Sequence, residues 1–167
     1  MMSTEPPALP VPRGLLRLFF RSPIVLYRLG LGGLGLGGLT GERILLTTVG
    51  RRSGKPRRAA VDVMRHDAAT DTYYVLSVYG ERSDWYRNLR ANPSLRAQVG
   101  WRRFAARATI LSESDAGQVF VEYARRHPRY VRAIMRVVGF KSGWSDEALR
   151  ALGPQMRLVA IQPEPRR

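Results

Sequence analysis

From Gly50 to Arg58 the chain reads Gly-Arg-Arg-Ser-Gly-Lys-Pro-Arg-Arg, and five of the eight residues from Arg51 to Arg58 are cationic while none is acidic. Guanidinium forks grip phosphate or carboxylate oxygens two at a time. Two glycines let the backbone turn so that its N–H groups can face an anion. A solvated hairpin tip is the plainer account of such a loop, but five mutually repelling cations favour a site for a ligand with several anionic groups. A second stretch, Ser77-Val78-Tyr79-Gly80-Glu81-Arg82-Ser83-Asp84-Trp85-Tyr86-Arg87-Asn88-Leu89, places the end of a strand just before the start of a helix. The free N–H groups of a helix start can hold a phosphate or a polar ring edge, and Trp85 and Tyr86 offer flat apolar surface to an aromatic ligand. The same spacing also suits Trp85 and Leu89 as core anchors.

Other chemistries have less to stand on. The chain has no cysteine and two histidines, which excludes thiolate nucleophiles, disulfides, zinc fingers and iron–sulfur clusters and leaves no metal site to expect. His66 stands beside Asp67, but neighbouring strand residues point to opposite faces and no serine nucleophile motif accompanies them. His127, in an arginine-rich junction before Pro128, reads as a surface residue. Glu81, Asp84, Glu113 and Glu122 show no spacing that selects a catalytic pair. Redox chemistry would have to come from a bound cofactor.

The elements that must position these residues are legible from pattern. At 167 residues the chain fits one domain, and 44% apolar content argues for a folded one. Strands are predicted at Ile44–Val49, Ala59–Met64, Tyr73–Tyr79, Leu95–Val99, Phe104–Leu111 and Leu158–Ile161. Helices are predicted from an N-cap at Ser83 to before Pro93, from Ser112 to about Arg126, from Pro128 onward, and over Asp146–Leu152. Six strands with inserted helices and tight turns make a mainly β, α+β fold, a small antiparallel barrel over residues 42–163.

Residues 1–12, with four prolines, read as a disordered lead. Residues 13–29 repeat Arg13, Arg17 and Arg21 along an apolar pattern, which suits a helix on an anionic membrane or one packed on its own domain. The glycine-rich run over 30–41 reads as a connector, since 13 uncharged residues from Leu29 to Gly41 fall short of the roughly 20 needed to cross a bilayer. Glu5 and the lack of an early basic region argue against a secretory signal, so a cytoplasmic location is expected, with peripheral contact at the inner membrane face through residues 13–29. The charge of +15 attracts nucleic acid, anionic lipid or an anionic small molecule alike, and an arginine-preferring codon usage is the plainer alternative account of most of the arginine excess.

The run Leu45-Leu46-Thr47-Thr48-Val49-Gly50-Arg51-Arg52-Ser53-Gly54-Lys55-Pro56-Arg57 is followed by Ser83-Asp84-Trp85-Tyr86-Arg87-Asn88-Leu89-Arg90-Ala91-Asn92-Pro93. Together they resemble the deazaflavin-dependent nitroreductases and quinone reductases of actinobacteria and their relatives. Tyr27-Arg28-Leu29-Gly30-Leu31-Gly32 and Tyr123-Ala124-Arg125-Arg126-His127-Pro128 resemble that family too. The resemblance, over about Pro23 to Pro163, implies a flavin-reductase-like split β-barrel, to which the pattern over residues 13–29 adds an N-terminal amphipathic helix.

The implied cofactor is coenzyme F420, whose phosphate and polyglutamate tail are the kind of ligand the basic loop suits. By motif, Gly50, Arg51, Arg52, Ser53 and Arg57 would hold phosphate and tail, and Lys55 and Arg58 would add positive field. Trp85 and Asn88 match positions near the deazaflavin, and Ser77 lies at the strand end beside the ring, where Ser77 or Tyr79 would hydrogen-bond ring or substrate. The implied reaction is hydride transfer to a quinone, nitroaromatic or other activated acceptor. Val78 stands where nitroreductases of the family often carry lysine, which counts against nitroimidazole activation. Such barrels often form homodimers. The alternatives are an FMN- or haem-binding split barrel and, below these, a nucleic-acid-binding module; nucleic acid is not expected as a partner, because the basic residues concentrate in one loop without an RNA or DNA motif.

Overall fold

Ile44, Leu46 and Thr48 alternate with less buried neighbours along the first strand and are each at most 1% exposed, the period-two pattern of a sheet closed around a core. The computed structural model describes residues 42–137 and 144–165. The lead, the amphipathic segment and the connector expected over 1–41 lie outside the described residues. The strands are β1 (Arg43–Val49), β2 (Pro56–Asp67), β3 (Thr72–Ser77), β4 (Ser94–Val99), β5 (Arg102–Ile110) and β6 (Arg157–Pro163). They close in the order β1-β2-β3-β6-β5-β4 with every pairing antiparallel, and β1 meets β4 to complete the barrel.

Two apolar cores follow from the two faces of this wall. The interior holds Ile44, Leu46, Val63, Val75, Val159 and Ile161, with Ala97, Ala106 and Ala108 where β4 and β5 leave little room. Helix α1 (Asp84–Ala91) contributes Tyr86 and Leu89 to this core. Outside the barrel, α2 (Glu113–Arg126), α3 (Pro128–Val137) and α4 (Asp146–Arg150) cover Met64, Leu76 and Leu158 with a second cluster. Gly117 and Gly153 permit the approach of the last turn before β6, since a Cβ on Gly153 would lie 3.1 Å from Gly117 Cα. Ser112 and Ser145 cap α2 and α4, accepting hydrogen bonds from the N–H groups of Asp115 and Ala148.

Several boundaries differ from expectation. β2 extends beyond the apolar run at both ends, because pairing with β1 recruits Arg57 and Arg58 and pairing with β3 recruits Arg65 and His66; a register shift between Val63 and Arg65 accompanies this. β3 stops at Ser77, where Val78 and Tyr79 leave the sheet for a single 3₁₀ turn over Gly80–Arg82. Ser83 stands at the N-cap position of α1, but its hydroxyl makes no capping bond and pairs with Ser77 instead. His127 is half-buried rather than superficial, its ring 4.6 Å from that of Tyr123 at the end of α2.

Candidate functional site

The turn between β1 and β2 is held from within. Gly50 N–H donates to the Lys55 carbonyl at 2.9 Å, while the N–H groups of Ser53 and Gly54 donate to the Gly50 carbonyl at 3.1 and 2.8 Å. Gly54 supplies the left-handed residue, with φ of +64°. Lys55 N–H donates to Ser53 Oγ at 3.4 Å and Arg51 N–H to Asn88 Oδ1 at 3.2 Å. These N–H groups are engaged inside the protein, which corrects the expectation of a backbone anion nest; what the loop presents outward is its side chains.

One of its cations is a tether. The Arg51 guanidinium donates to Asp84 Oδ1 from both terminal nitrogens at 3.1 Å and to Asn88 Oδ1 at 3.1 Å. Asn88 is 3% exposed and donates from Nδ2 to Thr48 Oγ1 at 3.1 Å, and Thr48 in turn donates to the Arg57 carbonyl at 3.4 Å. Loop, strand and helix are thereby joined through buried polar groups with partners, the condition under which such groups stabilise. Arg52, Lys55, Arg57 and Arg58 are exposed, and among the described residues no carboxylate pairs with them. Arg57 reaches Ser53 Oγ at 3.4 Å.

The second candidate stretch meets the other side of α1. Ser77 is 1% exposed; its hydroxyl donates to the Gly80 carbonyl at 2.8 Å and shares a 2.7 Å hydrogen bond with Ser83 Oγ. Gly80 has φ of +52°, and a Cβ there would lie 2.2 Å from the Gln155 carbonyl oxygen, so only glycine fits this turn. The Tyr79 phenol oxygen is buried without a hydrogen-bond partner. Burial pushes its pKa above the usual phenol value, against the opposing pull of Arg82, so the phenol keeps its proton at neutral pH and can donate a hydrogen bond.

Tyr86 and Leu89 are the core anchors of α1, whereas Trp85 is half-buried and meets the Tyr86 ring edge-on at 6.3 Å. Both stretches picked out by residue type therefore converge on one short helix. Asp84 and Thr48 complete the tether and went unremarked in the sequence as members of it. Asp84 stands four residues before Asn88, on the same helical face, which is a readable signal; Thr48 offers none beyond its inward place in β1. Ion pairs of Glu81 with Arg90 at 3.0 Å and of Arg157 with Glu113 at 3.0 Å brace the surrounding surface. Among the described residues no group of three or more His, Cys, Asp or Glu could hold a metal ion.

Free cations on a braced loop and a half-exposed indole on the helix it is tied to suit an anionic, ring-bearing cofactor; Tyr79 packs against the outer helical cluster, whereas Trp85 packs against the barrel interior. Comparison with curated proteins gives no match. Among solved structures, an F420H2-dependent reductase is 19% identical, with 72% of this chain and 93% of that chain covered and a TM-score of 0.46. A protein of unknown function from Agrobacterium tumefaciens is 15% identical over 96% of this chain and 60% of its own, with a TM-score of 0.51. A conserved hypothetical protein from Mycobacterium tuberculosis is 13% identical over 98% and 87%, with a TM-score of 0.50. The last two are similar in fold. The family model of the F420H(2)-dependent quinone reductase matches residues 20–138, which include both the basic loop and α1. The chain belongs to the F420H2-dependent quinone reductase family, and it is an F420-dependent oxidoreductase built on a split β-barrel.

Proposed function

We propose that this reductase passes a hydride to a quinone or another activated, conjugated acceptor. The observation that supports the reading most is the set of exposed cations without carboxylate partners on a loop fixed to α1. In this reading Arg52, Ser53 and Arg57 hold the phosphate and tail of F420 through charge-assisted hydrogen bonds, and Lys55 and Arg58 add positive field. Gly50 shapes the turn, and Arg51 and Asn88 hold it at a constant distance from α1. Trp85 presents its indole to the ring system. Ser77 stabilises the turn on which Tyr79 stands, and the Tyr79 phenol donates a hydrogen bond to a ring or acceptor carbonyl. When bound in its reduced form, F420 supplies the hydride from C5; the chain orients, excludes water and holds a proton at Tyr79 Oη.

Val78 following Ser77 favours a quinone over a nitroimidazole. Oxidation of reduced F420 by the purified protein, followed with menadione and with a nitroimidazole, tests this choice. Turnover with menadione and little with the nitroimidazole is expected; the reverse order overturns the assignment of acceptor, and no turnover with either overturns the reading of the reaction. Peripheral membrane contact through residues 13–29 belongs to the same proposal, and liposome binding unchanged by deletion of residues 1–22 would end it. No helix among the described residues is long and apolar enough to cross a membrane.

A further inference from the structure

The outer wall formed by β4 and β5 carries a pattern that the cofactor site does not use. From Ser94 to Ile110 there is no acidic residue, and Arg96, Arg103 and Arg107 all stand on the outward side and are exposed. Their register keeps them apart: Arg96 lies opposite Ala105, Arg103 opposite Gln98 and Arg107 opposite Ser94. No two cations face each other directly, so the wall concentrates positive charge without the direct repulsion of like charges in a cross-strand pair. Among the described residues none of the three pairs with a carboxylate, and Arg103 uses only Nε internally, donating to Gln98 Oε1 at 3.1 Å.

At the hairpin end of this wall Gly100, with φ of +54°, turns the chain so that Trp101 is 68% exposed. The turn is not loose, because Arg102 forms a 2.5 Å ion pair with Asp71 of the neighbouring β2–β3 turn. An indole held out in water beside the cationic outer wall of the barrel is the arrangement that matches a lipid headgroup layer, where the ring sits at the interface and arginines meet phosphates. A nucleic acid would ask for a groove or a run of stacking rings, and the wall offers one ring at its edge.

We propose that the β4–β5 outer wall, with Trp101, is a docking surface for an anionic lipid bilayer. β1 runs from beside Val99 to the basic turn, so docking by Trp101 leaves the cofactor loop at the opposite end of the barrel open. The inference uses charge and shape alone and stands apart from the choice of acceptor and from residues 13–29.

The test is co-sedimentation of the full chain with phosphatidylserine-containing vesicles and with pure phosphatidylcholine vesicles. Retention on the anionic vesicles alone is expected, and the triple variant Arg96→Gln, Arg103→Gln, Arg107→Gln should weaken it by on the order of a hundredfold while leaving F420 titration unchanged. Should the triple variant fail to bind F420 and to fold, the single variant Arg107→Glu, opposite Ser94, should weaken vesicle retention by about tenfold or more. Trp101→Phe should remove a fluorescence shift seen on adding anionic vesicles. Equal retention on neutral vesicles, retention that none of these changes alters, or a preference for duplex DNA over anionic vesicles at equal salt would overturn the proposal.

Discussion

Tyr79 is the residue whose proposed chemistry and whose stability pull in opposite directions. A buried hydroxyl without a partner costs about 1–3 kcal/mol, and removing it without changing the ring's shape relieves that cost. Tyr79→Phe should therefore stabilise the cofactor-free protein by about 1 kcal/mol in denaturant unfolding and at the same time slow turnover. A destabilised variant would show that the hydroxyl has a partner, and unchanged turnover would remove Tyr79 from the reaction. The basic loop and Trp85 could be picked out from the sequence because charge and aromatic area are properties of residue type. That Arg51 is a tether could not be picked out in the same way. It depends on Asn88 Oδ1 standing 3.2 Å from the Arg51 amide, a distance set by how α1 seats in the barrel.

Helix α1 is held to β1 by Tyr86 and Leu89 below and by the Thr48, Asn88, Arg51 and Asp84 network above. Asn88→Ala leaves the Thr48 hydroxyl and the Arg51 amide short of a partner, and it should cost about 2–3 kcal/mol in thermal or denaturant unfolding. Because the loop loses its brace, F420 affinity should fall as well, even though Asn88 makes no direct contact with the cofactor in this account. Loss of stability with affinity unchanged would mean that the loop's shape does not depend on α1. At this scale the sequence was informative about the number of strands and the placing of most helices, since Gly, Pro and capping serines punctuate them. It was less so at the ends of β2 and β3, where pairing partners far along the chain decide which residues stay in the sheet.

Closure of the barrel ties distant segments into one unit, and one surface staple shows how pH acts on it. Hydrogen bonds from Arg102 hold the Asp71 carboxyl down at about 2, with His66 adding to the effect from 3.1 Å. A carboxyl held below its ordinary value contributes stability at neutral pH, and that contribution is lost as pH falls from about 4 toward 2. The thermal midpoint of Asp71→Asn should accordingly fall less over this window than that of the native chain. An equal fall in both would place the acid sensitivity elsewhere.

The net charge of +15 makes non-specific attraction of anions certain, so discrimination between cofactors carries more weight than binding alone. The most direct measurement is a fluorescence titration of the full chain with oxidised F420 and with FMN, repeated on the Arg52→Ala, Arg57→Ala double variant. The account predicts that F420 binds far more tightly than FMN. It also predicts that the double variant, stripped of two exposed cations that no carboxylate pairs with, loses about a hundredfold or more in F420 affinity with its unfolding midpoint unchanged. Equal affinity for the two flavins, or F420 binding indifferent to both substitutions, would contradict the placing of the cofactor on the β1–β2 loop.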